Sequence, residues 1–183
     1  LGGNDIDRAI ARHVLFPQLL KSSPSYEPTL IEMEDVLIPQ LQATAEKLKI
    51  SATRWIASHK IENFQSLLDY LDTTFEDLTL ENISVRKLKL TLVRPTLSIR
   101  EFRAILDDFM GDFDGVHSPM HLLSPVIDAL DKAQLERENV DAVLFIGGSC
   151  LNPLVRNCVM DYMNEYDACV ESILPSDLRS HVS

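Results

Sequence analysis

Ala142-Val143-Leu144-Phe145-Ile146 runs straight into Gly147-Gly148-Ser149, and Asn152-Pro153 follows at once. Five consecutive apolar residues are too uniform for a half-exposed strand, so the run predicts a buried, parallel strand. The two glycines make its exit turn. Asn152 with Pro153 at the first helical position starts a helix carrying Leu154, Val155, Cys158, Val159 and Tyr162. Strand, glycine turn and helix form an α/β unit. Bare backbone in such a turn lets a ligand approach, and the helix behind it offers free N–H groups, a geometry that suits a nucleotide. A strand-to-helix turn also needs glycine on steric grounds alone, so the turn by itself leaves ligand binding and plain structure both open.

Working back from this unit, Pro119 or Pro125 starts a helix to about Leu135 with Val126, Ala129, Leu130 and Ala133 inward. Gly111 to Ser118, including Asp112-Phe113-Asp114-Gly115, reads as a solvated connector. Ser98-Ile99-Arg100-Glu101 is a capping box opening a helix whose Ile99, Phe102, Ile105, Leu106, Phe109 and Met110 form one apolar stripe. Phe75 to Leu80 and Lys87 to Val93 alternate apolar with polar residues and predict half-exposed antiparallel strands.

The stretch from Asn4 to Met110 contains no glycine, which predicts dense secondary structure. Asp5 to Leu20 has a helical period with Asp5 as its cap and a stop near Pro17, and it places His13 on the apolar side as a core imidazole. Leu30 to Trp55 is a long helical pattern, interrupted at Pro39, with Leu41, Ala45, Leu48 and Ala52 on one face. Glu46, Lys49, Ile50 and Thr53 fall within about 100° on another face. Glu and Lys three apart also make an ordinary surface pair, so spacing alone reads as a solvated face. Ile61, Phe64, Leu67, Leu68 and Leu71 follow at helical spacing, and residues 61–83 hold six acids and no base.

The 183 residues are 45% apolar and 25% charged, enough to bury a core without metal or disulfides. A net charge of −11 opposes binding to nucleic acid or anionic lipid. Cys150, Cys158 and Cys169 are odd in number and lack C-x-x-C spacing, which predicts a reducing, cytoplasmic setting. No run approaches the roughly 18 apolar residues of a membrane span. Histidines and cysteines show no metal-ligand spacing, and Ser149 has neither a partner histidine motif nor a G-x-S-x-G, so metal binding and nucleophilic hydrolysis gain no support.

Five of these landmarks, in order, resemble the seventy-kilodalton heat-shock (DnaK-type) chaperones, whose ATPase domain has the actin-like, ribonuclease H-like fold. Leu1-Gly2-Gly3-Asn4-Asp5-Ile6-Asp7 with His13 resembles L-G-G-x-D-F-D-(x)5-H, and Thr44-Ala45-Glu46-Lys47-Leu48-Lys49 resembles T-A-C-E-x-A-K. Leu90 to Phe102 resembles the strand leading into T-R-x-x-F, Leu123-Ser124-Pro125-Val126 resembles L-x-P-V, and Val143 to Pro153 resembles V-L-V-G-G-S-T-R-I-P.

The resemblance implies a fragment forming most of lobe two: a helical subdomain with a small antiparallel sheet at 1–115, then an α/β part at 116–183. It assigns Gly3, Glu46, Lys49, Ile50, Thr53, Gly147, Gly148, Ser149 and Leu151 to the adenosine half of an ATP/ADP cleft. Glu46 and Lys49 would meet the ribose hydroxyls and Thr53 the adenine edge. Ile50 and Leu151 stand where the family sandwiches adenine between two arginines. Residues 54–74 look like an insertion, and both phosphate-gripping loops are missing. The whole protein would then be a magnesium-dependent ATPase with a second lobe and a co-chaperone or exchange factor as partners. This chain alone would be inactive, hold no nucleotide tightly, and could self-associate through its uncovered strand. A different class of function also fits: an interaction module without nucleotide, docking through the acidic 61–83 segment.

Overall fold

The computed structural model describes residues 2–111, 121–165 and 170–174. The connector Asp112 to Gly115, Pro119 and Cys169 lie outside them. The fold is mixed α/β.

The N-terminal half is a helical pile. α1 (Gly3–Ile10) begins at Gly2, whose N–H donates to the Asp5 carboxylate at 2.7 Å, so Asp5 closes the first turn from inside the helix and is not itself the cap. The chain stays helical past Pro17: a π turn (Ala11–Leu15) leads into α2 (Phe16–Ser22). The same device recurs where α3 (Leu30–Glu32) passes through a π turn (Met33–Leu37) into α4 (Ile38–Ser58), with Pro39 in its first turn. Proline has no N–H and its ring crowds the carbonyl four residues back; widening the turn before it removes the clash. Neither proline therefore ends its helix. Ile6, Asp7, Ile10, Ala11, Val14 and Leu15 make the buried face of this helical run, and His13 lies off it and is exposed, which corrects its reading as a core imidazole.

Leu41, Ala45, Leu48, Ala52 and Ile56 of α4 are buried, each large side chain adding about 2 kcal/mol. They share one apolar cluster with Ile6 and Ile10 of α1 and with the stripe of α5 (Ile99–Met110). α5 has the capping box read from sequence: Ser98 Oγ accepts from the Glu101 N–H at 3.2 Å and the Glu101 carboxylate accepts from the Ser98 N–H at 2.8 Å. All six stripe residues are buried.

Residues 61–71 do not form the α-helix their spacing predicts; only a 3-10 turn (Gln65–Tyr70) appears, started by Asn63, whose side chain accepts from the Ser66 N–H. The carbonyls of Leu71 and Thr73 instead accept from the N–H groups of Arg100 and Ile99, supplying the open end of α5. β1 (Thr74–Glu76) pairs antiparallel with β4 (Thr96–Ser98), and β2 (Leu80–Val85) with β3 (Leu88–Val93), in register from Leu80↔Val93 to Val85↔Leu88. The predicted 75–80 strand is thus two strands on separate ladders, divided at Asp77, whose side chain accepts from the N–H and hydroxyl of Thr79.

A second apolar cluster joins Leu123, Phe145, Val159, Met163 and Val170. α6 (Ser124–Ala133) contributes half-buried Val126 and Leu130, while Ala129 and Ala133 face solvent, contrary to the inward placement expected. β5 (Ala142–Leu144) is parallel, as expected, and among the described residues its partner is β6 (Glu171–Ile173). Phe145 is buried, whereas Leu144 is 46% and Ile146 70% exposed, so the strand is not the buried one that its composition suggests. α7 (Pro153–Met163) starts at Asn152, whose side chain accepts from the Leu154 N–H at 3.0 Å.

Candidate functional site

Between α1, α4, α5 and the turn after β5 lies a cleft of about 790 Å³. Gly3, Glu46, Lys49, Ile50, Thr53, Gly147, Gly148, Ser149 and Leu151 all line it, so the nine residues assigned from sequence meet around one space. α4 supplies four of them from one face, because positions 46, 49, 50 and 53 repeat at the helical period while 45, 48 and 52 are buried on the adjoining face. Gly147, Gly148, Ser149 and Leu151 come from the turn and the 3-10 segment Gly148–Leu151.

Glycine has three distinct roles here. Gly3 is a close-approach point: a Cβ there would stand 2.8 Å from Ser149 Oγ and 3.1 Å from Lys49 Nζ. Gly147 has φ +99°, a conformation other residues rarely adopt. Gly148 has neither constraint, since a Cβ there would meet nothing within 4 Å. Its bare backbone opens onto free space.

The polar end of the cleft is an ion pair. Lys49 Nζ donates to Asp7 Oδ2 at 2.8 Å and to the Gly3 carbonyl at 3.1 Å, tying α4 to the first turn of α1. Both side chains are largely withdrawn from water, at 13% and 6% exposure. Burial raises the Asp7 carboxyl above the usual aspartate range, against the opposing pull of Lys49 and with help from Glu46. Asp7 Oδ1 is buried with no hydrogen-bond partner.

Ile50 and Leu151 are exposed apolar residues on the cleft wall, and Phe102, Phe109 and Met110 of α5 also line it. Cys150 lies in the same lining; its thiol donates to the Ile146 carbonyl at 3.3 Å, and burial raises its pKa. The Arg156 guanidinium donates to the Cys150 carbonyl at 2.6 Å and holds the 3-10 turn.

Asp7 is the cleft residue that the sequence reading did not assign. It stands between Ile6 and Ile10 on the buried side of α1, and a carboxylate on an apolar face is itself a signal that a cation lies opposite. Among the described residues no cluster of three or more His, Cys, Asp or Glu is placed to hold a metal ion. No described helix is long and apolar enough to cross a membrane.

No family model matches this chain, and no curated protein matches it.

Proposed function

We propose that this chain is the adenosine-side lobe of an actin-like, chaperone-type ATPase, holding the nucleoside part of ATP or ADP so that binding is coupled to lobe movement in the full-length protein. One observation carries the reading. Nine residues chosen by resemblance, spread from position 3 to position 151, line a single cleft. One further feature supports it: a Cβ at Gly148 would meet nothing within 4 Å, so no steric need accounts for the glycine there. In the reading, phosphate and magnesium contacts belong to loops and to a second lobe that these residues do not supply, so this chain positions a nucleoside and does not hydrolyse ATP.

The test is an amide-shift NMR titration of the chain with adenosine and ADP. Shifts concentrated at Thr53, Gly147, Gly148 and Ser149 are expected, with affinity no tighter than roughly millimolar. No change at those amides up to about 10 mM ligand would refute the reading.

A second reading, an interaction module, is favoured by one specific feature: Leu68, Tyr70, Leu78 and Leu80 are all exposed within the acidic 61–83 segment. Under that reading a bound partner protects this segment from amide exchange and leaves the cleft unchanged.

A further inference from the structure

We infer that the Arg54 guanidinium closes over the base of the bound nucleoside, lying against the ring face that Ile50 adjoins. The inference rests on the nucleoside reading above and adds to the site a contact residue outside the nine.

Arg54 lines the cleft together with Ile50, Thr53 and Ala57. Positions 50, 54 and 57 are four and three apart, so they share one side of α4. Helical side chains lean toward the N-terminus, and a long one covers the surface over the turn before its own Cα. For Arg54 that surface is Ile50. Its aliphatic stem then lies along the isoleucine while the planar head stands over the cleft.

The described cations of the lining are Lys49 and Arg54. Lys49 is held by Asp7 and by the Gly3 carbonyl. Arg54 is exposed and makes no ion pair or hydrogen bond with any described residue, which leaves its guanidinium free to meet a ligand. A guanidinium is planar and weakly hydrated, and among aliphatic neighbours it stacks on a π face.

Position along α4 decides between base and phosphate. In the nucleoside reading Glu46 and Lys49 meet the ribose and Thr53 the edge of the base, so the ligand runs along the helix from ribose to base. Arg54 is about 7.5 Å beyond Lys49 along the axis, on the side of the base away from the ribose. Phosphates hang from the ribose and lie at the other end. The contact is therefore with the base, and it serves adenosine, ADP and ATP alike.

The experiment titrates adenosine and ADP by NMR into the wild-type chain and into Arg54→Ala, and follows the Arg54 side-chain protons in the wild type. Arg54→Ala is expected to weaken both ligands by the same factor, about threefold. The Arg54 Hδ resonances are expected to move upfield as adenosine binds, because protons above an aromatic ring are shielded by its ring current. Unchanged affinity in Arg54→Ala overturns the inference, as do Hδ resonances that stay in place or move downfield. A loss confined to ADP also overturns it, since Arg54 would then meet phosphate. All of those results leave the nucleoside reading standing, provided that the Thr53 and Gly148 amides of the wild type shift. Failure of both ligands to shift those amides overturns both. Should Arg54→Ala not fold, the Hδ shift in the wild-type chain still decides the matter.

Discussion

Gly3 stands against Ser149 so closely that a methyl group on the glycine would lie 2.8 Å from the serine Oγ. The first turn of α1 and the turn after β5, far apart in sequence, are thereby fixed face to face across the head of the cleft. Gly3→Ala should cost about 1–2 kcal/mol of stability, because the serine and the Lys49 ammonium must both give way. Removing the hydroxyl as well, in Gly3→Ala/Ser149→Ala, should return part of that loss. Urea midpoints of the two single variants and the double variant test this; additive losses would show that the contact is not the cause.

Lys49 is what makes the buried Asp7 tolerable. Lys49→Met leaves that carboxylate without its cation and should cost about 3 kcal/mol at pH 7. The sign of the pH dependence follows from the raised Asp7 pKa. The folded state holds the Asp7 proton more readily than the unfolded chain, so this group's contribution is full at acid pH and is lost as pH rises through the folded pKa. The deficit of Lys49→Met should therefore shrink as pH falls toward about 4, and Asp7→Leu added to it should restore stability at neutral pH. Denaturation curves at several pH values decide; an equal deficit at all of them contradicts the prediction.

Ile50 and Leu151 give the cleft an aliphatic wall where the resembled family places arginines. Ile50→Arg with Leu151→Arg should raise adenosine affinity by roughly tenfold, since each guanidinium on a ring face is worth about 0.5–1 kcal/mol at an exposed site. An unchanged NMR titration would mean that the purine does not lie between these two positions.

Burial pushes the Cys158 thiol up to about 11, with Asp161 adding to the shift. Its alkylation by iodoacetamide at pH 7.5 should run at least about twentyfold slower than that of an unhindered thiol, the smaller thiolate fraction being partly offset by the greater nucleophilicity of a more basic thiolate. Peptide mapping by mass spectrometry gives the rate at Cys158 directly, and rapid labelling would show that α7 opens readily.

Among the described residues β5 is paired on one edge, to β6, and Leu144 in it and Ile146 just beyond it are exposed. An open strand edge with apolar neighbours recruits another strand. The chain should self-associate as its concentration rises, and Leu144→Lys should weaken that association at least fivefold. Sedimentation velocity on both chains gives the answer; a wild-type monomer at high concentration would show the edge to be harmless.

The sequence by itself determined the elements whose causes are local. Ser98 and Glu101 cap α5, the stripe from Ile99 to Met110 faces the core, and Asn152-Pro153 starts α7 after the glycine turn, because caps, periods and turn residues act within one or two turns of chain. It also picked nine cleft residues, through motif resemblance; helical spacing alone left Glu46 and Lys49 indistinguishable from a solvated pair. Tertiary structure decided the rest. Pro17 and Pro39 look like helix stops until a π turn in front of each relieves the clash. The 61–71 segment has helical spacing, yet the carbonyls of Leu71 at its end and of Thr73 just beyond are claimed by the α5 amides, a demand that comes from a neighbour in space. Ala142 to Ile146 is apolar enough to be buried, but how many strands and helices cover it is not a property of those five residues. The Asp7–Lys49 pair is the sharpest case. Each residue is readable alone on its own helix, and only the packing of α1 on α4 withdraws both from water, joins them at 2.8 Å, and leaves one carboxylate oxygen without a donor.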